Sequence, residues 1–545
     1  MRFVAAVALS ATLLPLAACR TVPPGPAPTS APVSTPASSP AAAVPLHAQA
    51  LGTYSWRIAT RQPMAQAYFD QGLRLMYAYA QDDAQKSFEQ SRRADPQCAM
   101  CWWGEAWSLG SYLNGPMQPA NAPRAYSAVQ QARSLAAKAP PVERALIEAL
   151  ATRYAPVHPA GGRRGLDSAF ANAMAGVQAR FPAHDDVATI HADALMLLEP
   201  RRGVWPLTKP SIPRIHGILE EVLRRNLRHP GACHAYIHAT ETTPKVGDAQ
   251  ACADLLSATI PAVSHVNHMP SHTYNRVGRW GDATRANLVA VETDRRAARG
   301  GAYAVYPAHN LHMLLFSSAI DGQEQVSVQA ARDYTALAGN DGYGFQALVL
   351  TRFGRFDDLL ALTTRPTHPI LLGLWSFGRG LAHLRVGGAA GLDSARAYLA
   401  RVDSLATNTP PAQTLRQHQP ARLLGIVGAI LRGEILRTTG NPNEAVATFR
   451  TAVALEQGLT YDEPEPLPFT SHEFLGAALL EGGRAQEAVD VYEAALTARP
   501  NSGWSLFGLE AALRTSGRAV EADAVKERLT KAWQRSSTVL RASRF

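Results

Sequence analysis

The chain has 545 residues, more than one compact core usually holds, and 46% of them are hydrophobic, as in an ordinary globular protein. Its formal net charge is +9, but the 53 basic and 44 acidic residues are interleaved along the chain. Because no run of like charges and no aromatic-basic stripe occurs, the composition argues against a nucleic-acid-binding surface, and we expect no nucleic-acid partner.

The first nineteen residues have the pattern of a lipoprotein signal peptide. Arg2 supplies the positive start, residues 4–14 are apolar, and residues 16–19 read Leu-Ala-Ala-Cys. This ending resembles the bacterial lipobox, so we expect Cys19 to be lipidated; the alternative is an ordinary secretory signal. The chain would then be an exported lipoprotein of the bacterial cell envelope, on the periplasmic side or the cell surface. No later segment has eighteen uninterrupted apolar residues, so lipid on Cys19 would be its only membrane contact.

Residues 20–48 are rich in Pro, Ala, Ser and Thr. Such a stretch cannot bury enough apolar surface to fold, so the composition predicts a disordered tether.

From about residue 50 to 535, apolar residues recur at helical spacing and strand-like alternation is scarce. One stretch matches the tetratricopeptide repeat, a helix-turn-helix unit with a period of about 34 residues. Its small positions are Gly72 and Ala84, its large position is Phe88, and the helix-ending position is Pro96. Near the end of the chain, the glycine-led motif at 483–488 recurs 34 residues later. We therefore predict an all-α tetratricopeptide superhelix, an α-solenoid of antiparallel helix pairs.

The folded part divides into three predicted segments. Residues 49–214 hold N-terminal helical repeats, 215–365 hold histidine-rich repeats with a metal site, and 366–545 hold C-terminal tetratricopeptide repeats. Between the first two, residues 200–213 contain several prolines and predict an irregular connection. It would serve either as a lid over the inner face or as a simple linker.

Four cysteines remain once Cys19 is lipidated, and an exported protein meets an oxidising compartment. Cys233 and Cys252 fall on facing helices of one repeat, so we predict that they pair. Cys98 and Cys101 form either a local disulfide or two buried thiols, because a regular helix does not favour a bond at that spacing.

Seven of the 17 histidines lie between residues 234 and 312. His234 and His268 are 34 residues apart, and so are His238 and His272, so these histidines recur at the same place in successive repeats. Residues four apart on a helix share one face, and first helices of such repeats line the concave surface. The register therefore predicts that imidazoles from neighbouring helices meet there.

Imidazole and carboxylate groups gathered in this way are suited to a divalent transition metal such as zinc, iron, copper or manganese. The candidate ligands are His234, His238, Glu241, His265, His268, His272, His309 and His312. Ligation requires neutral imidazole, so binding should weaken below about pH 6. No reaction can be assigned from this pattern, so the enzyme question stays open. The alternative is a non-catalytic scaffold whose concave groove binds a peptide or protein partner in the cell envelope.

The histidine motifs resemble those of a family of exported and cytoplasmic tetratricopeptide proteins. Its members carry H-x-x-I-H-x-x-E, H-x-x-H-M-P-S-H and H-N-x-H, which read here as residues 234–241, 265–272 and 309–312. The resemblance extends to C-A-M-C-W-W-G-E-A from Cys98 and to Tyr-Asp-Glu-Pro at 461–464, and so covers most of the mature chain. It implies the repeat fold and brings no settled activity with it.

Overall fold

The computed structural model of the protein describes residues 44–47, 50–201 and 203–545. The predicted signal peptide, Cys19 and most of the predicted tether lie outside these residues.

Helices account for most of the described chain, and β-structure within it is limited to isolated bridges. The helices are α1 (Pro63–Tyr77), α2 (Gln81–Ala94), α3 (Ala99–Ser108), α4 (Ala122–Leu135), α5 (Pro141–Ala151), α6 (Arg164–Arg180), α7 (Asp185–Met196), α8 (Ser211–Arg225), α9 (Pro230–Thr240), α10 (Gln250–Leu256), α11 (Ser264–His268), α12 (Pro270–Val277), α13 (Trp280–Ala297), α14 (Pro307–Ile320), α15 (Glu324–Ala338), α16 (Gly342–Arg352), α17 (Phe356–Ala361), α18 (Pro369–Val386), α19 (Gly388–Asn408), α20 (Pro420–Thr438), α21 (Pro442–Gln457), α22 (Ser471–Glu481), α23 (Ala485–Ala498), α24 (Gly503–Thr515) and α25 (Ala519–Ala532). Consecutive helices pack together as pairs, which confirms the predicted all-α solenoid.

Small residues let the helices of each pair approach closely, as the repeat pattern predicts. A Cβ atom added at Gly72 or Gly104 would lie within 2.7 or 2.4 Å of the Phe88 ring. Near the C-terminus, Gly476 meets the ring of Tyr492 in the same way, at 2.4 Å. A larger residue at these glycines would push the helices apart, because protein interiors leave no spare volume of this size.

The proline-rich connection is shorter than predicted. Helix α8 begins at Ser211, so Pro213 belongs to its first turn instead of the connection. The amides of a first helical turn have no partner within the helix, and proline is therefore tolerated there.

Both predicted cysteine pairs form disulfides. Cys233 and Cys252 join α9 to α10, with Cα atoms 5.0 Å apart. Cys98 and Cys101 also pair, with Cα atoms 5.3 Å apart. Cys98 has an extended backbone and precedes α3, so this bond does not have to fit inside a regular helix.

The C-terminal repeats contact the middle of the chain directly. Arg352 on α16 and Glu473 on α22 form a fully buried ion pair, with Nη1 and Oε2 2.6 Å apart. The indole of Trp280 donates a hydrogen bond to the Pro500 carbonyl at 2.8 Å. These contacts close the inner side of the middle repeats.

Buried apolar residues form two clusters along the chain. The first contains side chains from α1 to α13, and the second contains side chains from α13 to α25. The polar histidine region lies on helices that belong to both. Among the helices of the described residues, none combines the length and apolar character needed to cross a membrane.

Candidate metal centre

The structure gathers seven of the eight predicted site residues and buries nearly all of them. They come from α9 (His234, His238 and, as the residue that ends the helix, Glu241), α11 (His265 and His268), α12 (His272) and α14 (His309). All except His309 are at most 3% exposed. The inner face is therefore closed over these side chains.

Pro270 interrupts the hydrogen bonding of one nearly continuous helix, so that α11 ends before it and α12 begins at it. It has no amide hydrogen to donate, but Met269 before it keeps a helical backbone, with φ −51° and ψ −39°. His268 and His272 consequently stay on the same face across the break, with their ring centroids 4.7 Å apart.

The six clustered histidines fall into two groups of three. We call His234, His238 and His265 the first triad, and His268, His272 and His309 the second triad. In each triad, one ring nitrogen from every member lies within 4.8 Å of the other two. Three imidazoles at this separation can hold one transition-metal ion and leave a fourth position open.

In the first triad, the surroundings fix which nitrogens are free. Nδ1 of His234 donates to the Tyr77 carbonyl at 2.6 Å, and Nδ1 of His238 donates to Glu241 Oε1 at 3.1 Å. The Nε2 atoms of both rings, and both nitrogens of His265, are buried without a hydrogen-bond partner among the described residues. A buried polar atom without a partner is costly, so a bound cation would stabilise these nitrogens.

The second triad has the same arrangement of outer hydrogen bonds, and its Nε2 atoms lie close together. Nδ1 of His268 donates to the Asn287 amide oxygen at 2.8 Å, and Nδ1 of His272 donates to Glu241 Oε2 at 2.6 Å. The side-chain nitrogen of Asn287 donates to the Ala283 carbonyl, so the amide oxygen must face His268. With both Nδ1 atoms protonated, the Nε2 atoms carry lone pairs, yet they face each other at 2.8 Å. His309 Nε2 lies 3.1 Å from His268 Nε2, so all three converge.

Glu241 connects the triads through its two carboxylate oxygens. One oxygen accepts from His238 of the first triad and the other from His272 of the second. A carboxylate on the outer nitrogen of a ligating histidine fixes the ring orientation and makes the inner nitrogen more basic. Glu241, predicted as a ligand, therefore contacts one histidine of each triad.

A C-terminal segment completes the site. Arg201 pairs with Glu463 through two hydrogen bonds of 3.0 and 3.1 Å, and its Nη1 lies 3.9 Å from Glu241 Oε1. Tyr461 donates to Glu241 Oε2 at 3.2 Å. A third possible metal group, Glu241, His272 and Glu463, is thus already neutralised in part by Arg201.

Burial keeps most of these imidazoles neutral. It lowers the pKa of His234 to about 4. It also lowers the pKa of the following histidines well below 6.5: His238, His265, His268 and His309. For His272, burial acts in the same direction, but the Glu241 carboxylate outweighs it and raises the pKa. Neutral rings have the lone pairs that metal ligation needs.

Tyrosines cover the first triad. The Tyr79 ring lies 4.1 Å from that of His234, and Tyr306 meets His265 edge-on at 5.1 Å. Both tyrosines have a left-handed backbone, with φ 57°, a conformation that costs a non-glycine residue about 1–3 kcal/mol. Strained residues of this kind concentrate at functional sites, which supports a role for the cover.

His312 is the predicted residue that stands apart. It belongs to neither triad, and its ring packs against Phe345 at 4.2 Å and Tyr334 at 5.3 Å.

Sequence reasoning did not select Arg201, Tyr79, Tyr306, Tyr461 or Glu463. The Tyr-Asp-Glu-Pro motif at 461–464 was the available signal, because it belongs to the family resemblance. Arg201 and the two cover tyrosines have no motif or spacing that would have marked them.

Comparisons with known proteins support the repeat fold. The family model described as "Tetratricopeptide repeat" matches residues 430–503. No curated protein matches the chain.

Several solved structures resemble the chain at low identity. Yeast Tom70 is 11% identical, with 87% of this chain and 99% of that chain covered and a TM-score of 0.31. The human IFIT1 dimer with m7Gppp-AAAA is 8% identical, with 87% and 91% covered and a TM-score of 0.29. The Cut9-Hcn1 heterotetramer is 13% identical, with 87% and 76% covered and a TM-score of 0.29.

The family match shows tetratricopeptide repeats at residues 430–503, and the helix pairs outside that range share the all-α architecture.

Proposed function

We propose that this repeat protein binds a divalent transition metal through its two histidine triads. The observation that carries the proposal is the set of Nε2 atoms in the second triad. Oxygen acceptors hold the outer nitrogens of His268 and His272, so two lone pairs face each other at 2.8 Å. Lone pairs at that distance repel unless a cation lies between them.

A proton is the competing cation. The Glu241 carboxylate favours a charged His272, which would donate from Nε2 to His268. His268 Nε2 has one lone pair, however, and His309 Nε2 also lies 3.1 Å from it. One proton therefore satisfies a single contact, whereas a metal ion satisfies all three nitrogens.

Elemental analysis of protein purified without chelators tests the proposal. We expect stoichiometric zinc, iron, copper or manganese in the wild type. His238→Ala and His268→Ala should each reduce the content while circular dichroism shows intact helices. A wild type that carries no metal and takes none up would refute the proposal. Metal retained in full by both variants would place the site elsewhere.

Three ligands per ion would leave a coordination position for a substrate, as in catalytic zinc sites. This is the feature that favours a metalloenzyme over a purely structural metal site. The reaction has no further support, because no nucleophile or dinucleotide motif accompanies the cluster in the sequence.

The proposal also places the protein outside the cytoplasm, anchored by lipid. The Leu-Ala-Ala-Cys ending at Cys19 and the polar tether at 20–48 support it. Replacement of Cys19 with Ser should abolish lipid labelling and release the protein into the soluble fraction. Unchanged membrane association would contradict the lipoprotein assignment.

The second candidate is a scaffold that binds a peptide or protein in the cell envelope. The family match at residues 430–503 favours it, because such repeats commonly serve protein interaction. A cavity of about 280 Å³ beside Tyr461, lined also by Arg276 and Arg499, offers a site for an extended ligand. Metal-free protein that still captures a defined envelope partner would favour this candidate.

A further inference from the structure

We infer that the centre holds two metal ions close together, one in each triad. This inference rests on the proposed metal binding and goes beyond it in the number of ions, their ligands and the position of any bound substrate.

Ring distances within and between the triads support two adjacent sites. In the first triad the centroids of His234 lie 5.2 Å from His238 and 5.0 Å from His265. Across the triads, His238 and His272 are separated by 5.5 Å, and His265 and His268 by 5.6 Å. The six rings thus pack as closely between triads as within them.

The nitrogen arrangement shows that one ion cannot serve both triads. The 4.8 Å limit that encloses three nitrogens is met separately by each triad, with no member in common. A single ion in the second triad would leave His234 Nε2, His238 Nε2 and both His265 nitrogens without partners among the described residues. A second ion, in the first triad, would bind one nitrogen of each of these three rings.

Each triad also has its own pair of histidines four residues apart and its own outer contacts. A four-residue spacing supplies two ligands in both cases, from His234 and His238 in one and from His268 and His272 in the other. The Tyr77 carbonyl orients a ring in the first triad, and Asn287 orients one in the second. Glu241 is shared, so its charge offsets both ions at once.

The alternative group of Glu241, His272 and Glu463 is less suited to an ion. Arg201 already forms a two-point pair with Glu463, so a metal there would have to displace it or lie beside a guanidinium. His272 would also have to turn its Nε2 lone pair away from the bound cation. We therefore assign both carboxylates to the surroundings of the two ions.

The ligand atoms limit which metals suit the two sites. Six neutral imidazoles without a direct carboxylate suit copper, zinc or iron better than manganese or magnesium. Two-metal sites hold their ions about 3.5–4 Å apart and bind oxygen donors between them.

Copper(II) is the probe that separates one ion from two. It lies at the top of the affinity order for such ligands, and neighbouring copper(II) ions perturb or cancel each other's electron paramagnetic resonance signals. The full-length wild type would be loaded with copper(II), and bound copper would be compared with the integrated spin.

Three matched histidine-to-phenylalanine variants complete the design. His265→Phe removes from the first triad a ring whose two nitrogens have no hydrogen-bond partner in the described chain, and His309→Phe removes from the second triad a ring whose Nε2 contacts His268 Nε2. His312→Phe, beside Phe345, is the control outside both triads. Phenylalanine keeps the ring volume, and circular dichroism would confirm the fold.

We expect two copper ions in the wild type and in His312→Phe, with a split or strongly reduced signal. His265→Phe and His309→Phe should each bind about one ion with full spin intensity. One ion in the wild type, or two ions with full, unperturbed spin, would overturn the pair while leaving metal binding intact. No copper in any variant would instead refute the proposed function itself.

Discussion

Arg201 and Glu463, 262 residues apart in the chain, form a two-point ion pair beside the histidine triads, with N–O distances of 3.0 and 3.1 Å. Arg201 comes from the proline-rich connection before α8, and Glu463 lies between α21 and α22. The pair therefore joins these two distant segments of the chain beside the triads. The guanidinium of Arg201 also lies 3.9 Å from Glu241, and its positive charge there would disfavour a bound cation.

Arg201→Met should destabilise the metal-free protein and strengthen metal binding. Loss of charged hydrogen bonds to a carboxylate that is 7% exposed costs roughly 2–3 kcal/mol of unfolding free energy. Without the guanidinium, the carboxylates would offset the metal charge instead. We expect a lower melting temperature for the metal-free variant and a larger rise on metal addition than in the wild type.

The control for this change is an exposed pair. Arg432 and Asp403 are 49% and 45% exposed, so Arg432→Met should cost less than about 1 kcal/mol and leave metal binding unchanged. Equal effects of the two variants would contradict a special role for Arg201.

The repeat register predicted much of the fold and of the centre. The 34-residue spacing of His234 with His268 and of His238 with His272 predicted that their rings would meet, and all four lie in the two triads, because a solenoid repeats one helix pair. Gly278 and Gly322, which follow α12 and α14, both have positive φ, at 77° and 71°. Repeat spacing and glycine positions can be predicted from sequence because they depend on nearby residues.

Other features depend on contacts that no local pattern encodes. Glu241 shares the face of His238, but its role follows from a bond to His272 on another helix. Arg201 meets Glu463 only because the C-terminal repeats pack on the middle ones. His312 lies three residues after His309 on α14, as His268 lies three residues after His265 on α11, yet its ring packs against Phe345.

The two disulfides should differ in their contributions to stability. Cys233 and Cys252 close a loop with a separation of 19, and Cys98 and Cys101 one with a separation of 3. Loop-closure entropy predicts about 3 kcal/mol for the longer loop and about 2 kcal/mol for the shorter. Denaturant unfolding of the two double-alanine variants under non-reducing conditions would measure this order, and the reverse order would contradict it.

Glu143 should make the stability depend on pH. Its side chain is 3% exposed and Oε1 accepts the Ala59 amide at 2.8 Å. Burial raises its pKa from 4.5 to about 7, although the Ala59 amide acts in the opposite direction. Between these two values the folded chain holds a proton that the unfolded chain has lost. This contribution therefore favours folding below about pH 4.5 and is lost as the pH rises to 7, by roughly 2–4 kcal/mol.

Glu143→Gln removes this titration. The variant should melt several degrees above the wild type at pH 8 and close to it at pH 5. Glu148→Gln on the same helix, where the side chain is 58% exposed, should follow the wild type at both values. Parallel curves for the wild type and Glu143→Gln would show that the buried carboxyl does not titrate in this range.

Glu241→Gln tests whether this residue orients ligands or is one. A glutamine oxygen can accept a proton from only one of the two Nδ1 atoms that the carboxylate now serves, at 3.1 Å for His238 and 2.6 Å for His272. The other ring would face the amide NH₂ and move its proton to Nε2, the nitrogen that points into its triad. Losses of this kind lower metal affinity about 10–100-fold without changing the number of ions. Competition with a coloured chelator would measure affinity, and elemental analysis would count ions.

Glu220→Gln is the matched control, because Glu220 accepts hydrogen bonds from Tyr236 and Lys245 away from the triads, and its replacement should leave metal affinity unchanged. A Glu241→Gln protein that loses an ion outright would show that the carboxylate binds the metal directly.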